Sequence, residues 1–167
     1  MVIDVTRIGT QGLVLQDKVT LDEQMLLEEE SRFTDELVYT VKFTRDGDKI
    51  RAKGQIKTNV SLPCVNCLEN FELKVDSKFD VILFPVRLIE SKHTPLTNDE
   101  MEYIFFDGDS IDLDRLLVEQ VNLFIPYNPI CSPYCKGLCP NCGVNLNYHD
   151  CQCENSISEM RLFFDKI

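Results

Sequence analysis

Eight cysteines constrain the fold of this 167-residue chain more than any other feature. Six of them fall within residues 131–153, and the full set is Cys64, Cys67, Cys131, Cys135, Cys139, Cys142, Cys151 and Cys153. Residues 126–153 are otherwise rich in proline and glycine and show no apolar periodicity, so this segment buries too little apolar surface to fold by itself. We therefore expect a bound metal to organise it.

The compartment and the spacing favour metal ligation over disulfides. The N-terminal residues lack the basic and apolar regions of a secretory signal, and no apolar run is long enough to cross a membrane, so we expect a cytoplasmic protein without membrane contact. Paired cysteines in the reducing cytosol more often bind metal than form disulfides. Cys151 and Cys153 are separated by one residue, which is poor geometry for a mutual disulfide but suits a shared metal ion. Buried free thiols and a redox dithiol at 64/67 are less favoured interpretations, the latter because no βαβ pattern surrounds that pair.

Tetrahedral zinc takes four ligands, so eight cysteines predict two structural zinc ions with no cysteine left over. One pairing joins Cys64 and Cys67 with Cys131 and Cys135, and leaves the last four cysteines as a local site. A rival pairing joins the two CxxC knuckles, as in a zinc ribbon, and single-site schemes also remain open. His149 can substitute as a ligand, whereas His93 is expected in a solvated loop.

The same residues argue against an enzyme. A structural zinc site with four protein ligands has no open coordination position for a substrate or an activated water. The sequence contains no phosphate-binding glycine loop and no HExxH motif, and no histidine is paired with a thiol in a local catalytic pattern.

Apolar and polar residues alternate over 37–43, 49–62 and 71–83, which predicts three antiparallel strands with one buried and one solvated face. The fold class is therefore α+β and β-rich: an antiparallel β-meander, one covering helix at about 111–125 capped by Ser110 or Asp112, and a C-terminal Cys-rich zinc-binding segment. We expect a sheet domain over 1–125 and the Cys-rich segment, 126–167, docked on the sheet. Shorter expectations are an edge strand at 2–8, an acidic helix within 20–32, a short strand at 103–106 and helical turns at 158–164.

The formal net charge of −11 is unevenly distributed. Acidic residues dominate 20–36 and 94–120, which are either solvated faces or a surface for a basic protein partner. Residues 41–58 reverse the sign, and the predicted outer face of the second strand carries Lys49, Arg51, Lys53 and Lys57. These four are either the solvent side of a strand or contacts to RNA phosphates.

The order of features resembles the bacterial DUF177 family, also called YceD. The resemblance rests on the long strand running into Cys64-Val65-Asn66-Cys67, the helix opening at Ile111-Asp112-Leu113, the run Cys135-Lys136-Gly137-Leu138-Cys139-Pro140-Asn141-Cys142-Gly143, and Asn145-Leu146-Asn147 before the CxC. It covers about residues 35–154. It implies a cytoplasmic factor for 23S ribosomal RNA processing or stability without catalytic activity. Two family arginines are missing here, since Asn66 precedes the second knuckle cysteine and Glu154-Asn155-Ser156 follows the CxC.

Three functions follow as hypotheses. The first is a non-enzymatic factor for large-subunit ribosomal RNA accumulation or ribosome assembly, with ribosomal RNA or a large-subunit precursor as partner. The second is a zinc-stabilised adaptor whose acidic faces bind a basic protein, such as a ribosomal protein. The third is a thiol redox or zinc sensor.

Overall fold

The computed structural model describes residues 1–9, 11–22, 26–27, 30–86 and 103–153. The predictions for His93, for residues 94–102 of the acidic stretch 94–120 and for helical turns at 158–164 lie outside these residues. The described elements are β1 (Val2–Asp4), β2 (Leu13–Val19), β3 (Arg32–Phe33), β4 (Leu37–Asp46), β5 (Lys49–Pro63), β6 (Asn70–Pro85), β7 (Ile104–Phe106), β8 (Ser110–Asp112) and the helix α1 (Leu113–Phe124).

The three long strands β4, β5 and β6 lie side by side at the centre of the main sheet, whose order is β2-β4-β5-β6-β7 with β3 paired to β5. Strand β4 pairs antiparallel with β5 across a turn at Gly47, whose φ of 60° suits the Asp-Gly signal in the sequence. Strands β5 and β6 are also antiparallel. Arg51 of β5 hydrogen-bonds to Asp80 of β6, and Gln55, later in β5, hydrogen-bonds to Asp76, earlier in β6. The predicted β-meander is confirmed.

One face of this sheet is buried, as the alternation predicts. Residues such as Val41, Ile56 and Val75 are fully buried, whereas Lys53 and Asp76 point to the opposite face and are exposed. Burial of one face fixes the register, because a slip of one residue would exchange the two faces.

Helix α1 contributes its apolar stripe to the same core. It begins after Asp112, whose side chain accepts a hydrogen bond from the Arg115 N–H at 3.3 Å, so of the two predicted caps the structure uses Asp112. Leu117 and Val121 are fully buried among the sheet residues. The helix ends before Pro126, which cannot continue it.

Several short elements differ from the predictions. The N-terminal strand covers only Val2–Asp4, pairs with β8 in a separate two-stranded sheet, and gives way to a 3₁₀ turn at Val5–Arg7. Strand β7 confirms the short strand near 103–106 but lies parallel to β6. Residues 23–25 and 28–29 of the acidic helix expected within 20–32 lie outside the described residues, and Arg32 at its end lies in β3.

The chain divides into two compact units. The first consists of Met1–Leu62 and Phe71–Tyr127 and contains both sheets and α1. The second consists of Pro63–Asn70 and Asn128–Ile167 and contains all eight cysteines. The connection between β5 and β6 therefore belongs with the C-terminal segment, and we name this second part the cysteine unit.

Candidate metal centres

The first group of four cysteines joins the turn between β5 and β6 to the C-terminal segment. Its members are Cys64, Cys67, Cys131 and Cys135, whose Sγ atoms all lie within 4.8 Å of one another. The Sγ atoms of Cys64 and Cys135 are 3.8 Å apart, as are those of Cys67 and Cys131. A tetrahedral zinc ion with Zn–S bonds of about 2.3 Å places its sulfur ligands about 3.8 Å apart. The sulfur positions fit a zinc ion.

The second group is local in sequence. It contains Cys139, Cys142, Cys151 and Cys153, again within 4.8 Å of one another. Its Sγ–Sγ distances include 3.2 Å between Cys139 and Cys151 and 3.6 Å between Cys142 and Cys151. None of the eight cysteines is in a disulfide. The two groups are those of the sequential pairing, and neither includes His149.

The two CxxC knuckles share one backbone arrangement. The N–H of Leu68 donates to the carbonyl of Cys64 at 2.9 Å, and the N–H of Gly143 donates to the carbonyl of Cys139 at 2.9 Å. Both residues that follow the second cysteine have positive φ, 60° at Leu68 and 73° at Gly143. A glycine at 143 signals this requirement, because glycine accepts positive φ without steric cost, whereas no such signal exists at Leu68.

Backbone N–H groups point at one sulfur of each group. Burial opposes ionisation of Cys64, but hydrogen bonds from the N–H groups of Cys131, Cys67 and Asn66 outweigh it and lower its pKa to about 6. The Cys131 N–H lies 3.4 Å from that sulfur. These hydrogen bonds favour the thiolate form of Cys64, which is the form that binds metal.

The second group repeats this pattern. The N–H groups of Cys142 and Asn141 donate to the sulfur of Cys139 and lower its pKa to about 6. A hydrogen bond with the neighbouring Cys151 sulfur raises the pKa of Cys153 to about 12, because a thiolate nearby disfavours a second negative charge. A divalent cation at the centre of each group would remove this repulsion and hold all four cysteines as thiolates.

Two asparagines in the loop between Cys142 and Cys151 contact residues at and beside the first group. Asn147 Nδ2 donates to the Cys135 sulfur at 3.4 Å, and Asn147 Oδ1 accepts from the Lys136 N–H at 2.8 Å. The neighbouring Asn145 donates to a carboxylate oxygen of Glu69 at 3.0 Å, and the Tyr148 hydroxyl donates to the other oxygen at 2.9 Å. Such outer contacts orient metal ligands. Asn145 and Asn147 stand out in the sequence as part of a motif, but nothing in the motif itself indicates this role.

The four basic residues predicted as RNA contacts are exposed on β5. Each of them contacts an acidic or an aromatic side chain. Arg51 makes a two-bond contact with Asp80 at 2.6 and 2.7 Å, and Lys53 lies 3.6 Å from the same carboxylate. Hydrogen bonding from Arg51 holds the pKa of Asp80 below its usual value. Lys57 Nζ lies 3.2 Å from a carboxylate oxygen of Asp76.

Lys49 at the start of β5 has a different partner. Its Nζ donates to the Tyr103 hydroxyl at 2.6 Å and lies 4.7 Å from the centre of that ring. Further along the strand, Lys53 stands directly opposite Lys42 of β4. Like charges in that position repel, and the Asp80 carboxylate, 3.6 Å from Lys53 Nζ, offsets part of this repulsion.

Comparison with known proteins assigns the family. The family model described as "Large ribosomal RNA subunit accumulation protein YceD" matches residues 52–164, a range that includes all eight cysteines. The chain belongs to the YceD family. No solved structure matches this YceD chain. No helix in the described residues is long and apolar enough to span a membrane.

Curated relatives of this YceD chain come from bacteria and plants. An uncharacterised protein of Mycobacterium tuberculosis is 34% identical over 50% of this chain and 38% of its own length. Large ribosomal RNA subunit accumulation protein YCED homolog 1, chloroplastic, of Zea mays is 26% identical over 71% of this chain and 48% of its own. The Arabidopsis thaliana protein of the same name is 27% identical over 68% of this chain and 42% of its own. The chain thus spans less than half the length of these relatives.

Proposed function

We propose that this chain is a non-enzymatic cytoplasmic factor for the accumulation of large-subunit (23S) ribosomal RNA. The observation that carries the proposal is the family match, because it spans 52–164 and so takes in most of β5, all of β6 and α1, and both four-cysteine groups together. Two plant relatives bear names that refer to large ribosomal RNA subunit accumulation. The chain acts in this proposal by binding, and its metal sites are structural.

Zinc is the metal of this proposal, with one ion in each four-cysteine group. Thiolate sulfur is a soft ligand that suits zinc, and four protein ligands close the coordination sphere. The first ion would hold Cys64 and Cys67 of the knuckle to Cys131 and Cys135. The second would fold the loop that carries the last four cysteines. We also propose that the cysteine-rich segment from 126 onward docks on the sheet.

RNA contact is proposed through Lys49, Arg51, Lys53 and Lys57. Side chains two residues apart on one strand face lie about 6.6–7 Å apart, which resembles the spacing of successive phosphates along RNA. Asp76 and Asp80 already neutralise part of this charge, so we expect weak binding with a shallow dependence on salt.

The test is binding of protein-free 23S ribosomal RNA fragments at low and at physiological salt. Replacing Lys49, Arg51 and Lys53 with glutamate should abolish binding and change the thermal midpoint little, because all three side chains are exposed. A control variant with the same change in net charge carries glutamate at Arg7, Arg115 and Lys136, which lie outside the main sheet and are exposed. If this β5 variant binds RNA as well as the parent does, this face of the sheet does not contact RNA.

The adaptor hypothesis has its own supporting observation. Arg51, Lys53 and Lys57 already have carboxylate partners on β6, which makes this face less available to phosphates than the sequence suggests. If the β5 variant binds RNA as well as the parent, a zinc-stabilised adaptor for a basic protein becomes the leading function.

A further inference from the structure

Leu68 combines an unfavourable backbone conformation with an exposed apolar side chain. Its φ of 60° is unfavourable for a residue with a Cβ. Burial of the side chain does not offset this cost, because 68% of the residue is exposed. Gly143 shows that this knuckle geometry accepts glycine. The knuckle requires the positive φ but does not require a leucine there, and a strained residue that the local fold does not need points to a role outside it.

Leu68 has exposed apolar neighbours in the cysteine unit. Val65, three residues earlier on the same knuckle, is 48% exposed. The Val65 N–H donates to the carbonyl of Pro129 at 2.9 Å, which brings the segment that continues into Ile130 alongside the knuckle. Ile130 is 42% exposed. Three exposed aliphatic residues therefore adjoin the first four-cysteine group, and we name Val65, Leu68 and Ile130 the knuckle patch.

The charge around the knuckle patch is negative. Glu69 follows Leu68 directly, and its carboxylate is held in place by Asn145 and Tyr148. The described part of the cysteine unit contains two carboxylates, Glu69 and Asp150, against one lysine, Lys136. Four thiolates around a divalent ion leave further net negative charge on each metal group. Phosphates would be repelled here, whereas lysine and arginine would be attracted.

From these exposed apolar side chains and the negative charge around them, we propose that the knuckle patch binds a basic protein segment. The segment inserts an apolar side chain against Leu68. The patch supplies the apolar contact, and Glu69 and the thiolate groups attract the flanking basic residues. The cysteine unit is then a protein-binding module, separate from the RNA contacts on β5. This inference rests on the proposed function only for the source of the partner, which is the set of basic proteins of the large ribosomal subunit.

The experiment uses the full metal-loaded chain and two probes. One is the total protein extracted from purified large ribosomal subunits after nuclease treatment, and the other is protein-free 23S ribosomal RNA. Leu68→Asn removes the apolar side chain, keeps the charge and suits positive φ, because asparagine tolerates that conformation. Val65→Ser is the second variant. Leu123→Asn is the matched control, since Leu123 is 74% exposed on α1, outside the cysteine unit.

We expect the protein probe to bind the parent and the Leu123→Asn variant equally, and to bind Leu68→Asn and Val65→Ser at least tenfold more weakly. RNA binding should be the same for all four proteins. If Leu68→Asn binds the protein probe as well as the parent, the binding is purely electrostatic and the proposal is wrong. The proposal is also wrong if the parent binds none of the protein probe. Loss of RNA binding in Leu68→Asn assigns the patch to RNA and also overturns it.

The two proposals fail separately. A parent that binds RNA through β5 but no basic protein keeps the proposed function and loses the knuckle patch. A parent that binds the basic proteins but no RNA keeps the patch and loses direct RNA contact. Metal content is measured on each variant, and for a variant that keeps the metal content of the parent, a loss of binding does not come from unfolding of the knuckle.

Discussion

Leu68 and Gly143 occupy equivalent positions in the two knuckles of the cysteine unit, each donating its N–H to the carbonyl four residues earlier at 2.9 Å, with φ of 60° and 73°. Only one of them is glycine. A leucine in the left-handed region destabilises the folded state by about 1–2 kcal/mol relative to glycine. Glycine offsets part of this difference, because its greater chain entropy stabilises the unfolded state.

Leu68→Gly should therefore make the cysteine unit more stable by up to about 1 kcal/mol, and Gly143→Ala should make it less stable by about 1 kcal/mol or more. A Cβ at Gly143 meets no atom within 4 Å, so that loss would be conformational rather than steric. Denaturant unfolding and the rate of metal removal by a chelator would measure both. Destabilisation by Leu68→Gly would show that the leucine side chain has a structural role.

Zinc content should be two ions per chain, because each four-cysteine group has the ligand number and spacing of a closed site. Elemental analysis of protein purified without added metal measures it. Cys64→Ser and Cys153→Ser should each reduce the content towards one. A single zinc in the parent, or the absorption of an iron–sulfur cluster, would contradict the expectation.

The same two variants should loosen different regions. In Cys64→Ser the Val65 amide, which donates to Pro129 at 2.9 Å, should lose protection from hydrogen exchange as residues 128–135 leave the knuckle. In Cys153→Ser the Cys139 amide, which donates to Val144 at 2.8 Å, should lose protection while Val65 keeps it. Equal loss at both amides in both variants would mean that the two groups fold as one.

Asn147→Ala should weaken metal binding at the first group about tenfold, because it removes the donor to the Cys135 sulfur and the acceptor for the Lys136 N–H. Competition with a chromogenic chelator measures the affinity of both sites. Gln152→Ala is the control, since Gln152 is exposed between two ligands of the second group. An unchanged affinity in Asn147→Ala would show that this hydrogen bond does not tune the metal site.

Asp80→Asn should strengthen RNA binding, the opposite of the glutamate variant of β5. The change removes the carboxylate that Arg51 and Lys53 share and leaves both cations for phosphate. The slope of log affinity against log salt should become steeper by about 0.7–0.9 for each additional phosphate that the protein neutralises. Asp17→Asn changes the net charge equally, but Asp17 pairs with the buried Tyr39 and so lies on the other face of the sheet. Equal effects of the two variants would point to net charge alone.

The sequence by itself determined the strands and the ligand chemistry. Period-two alternation around residues such as Ile56 and Lys57 predicts both the strand and its buried face, because neighbouring side chains in a strand point to opposite sides. The number and spacing of the cysteines predict two four-cysteine groups, because tetrahedral metal sites demand four ligands.

Only the tertiary structure decided which distant residues meet. That Cys64 lies with Cys135, 71 positions later, and that Arg51 is paired with Asp80 depends on where β5 and β6 place their ends and faces. The positive φ of Leu68 was also invisible, because a leucine carries no signal for a conformation that it normally avoids. Local sequence patterns predict local geometry. Contacts between residues far apart in the sequence depend on how the strands pair and on which loops contribute ligands to the same metal group.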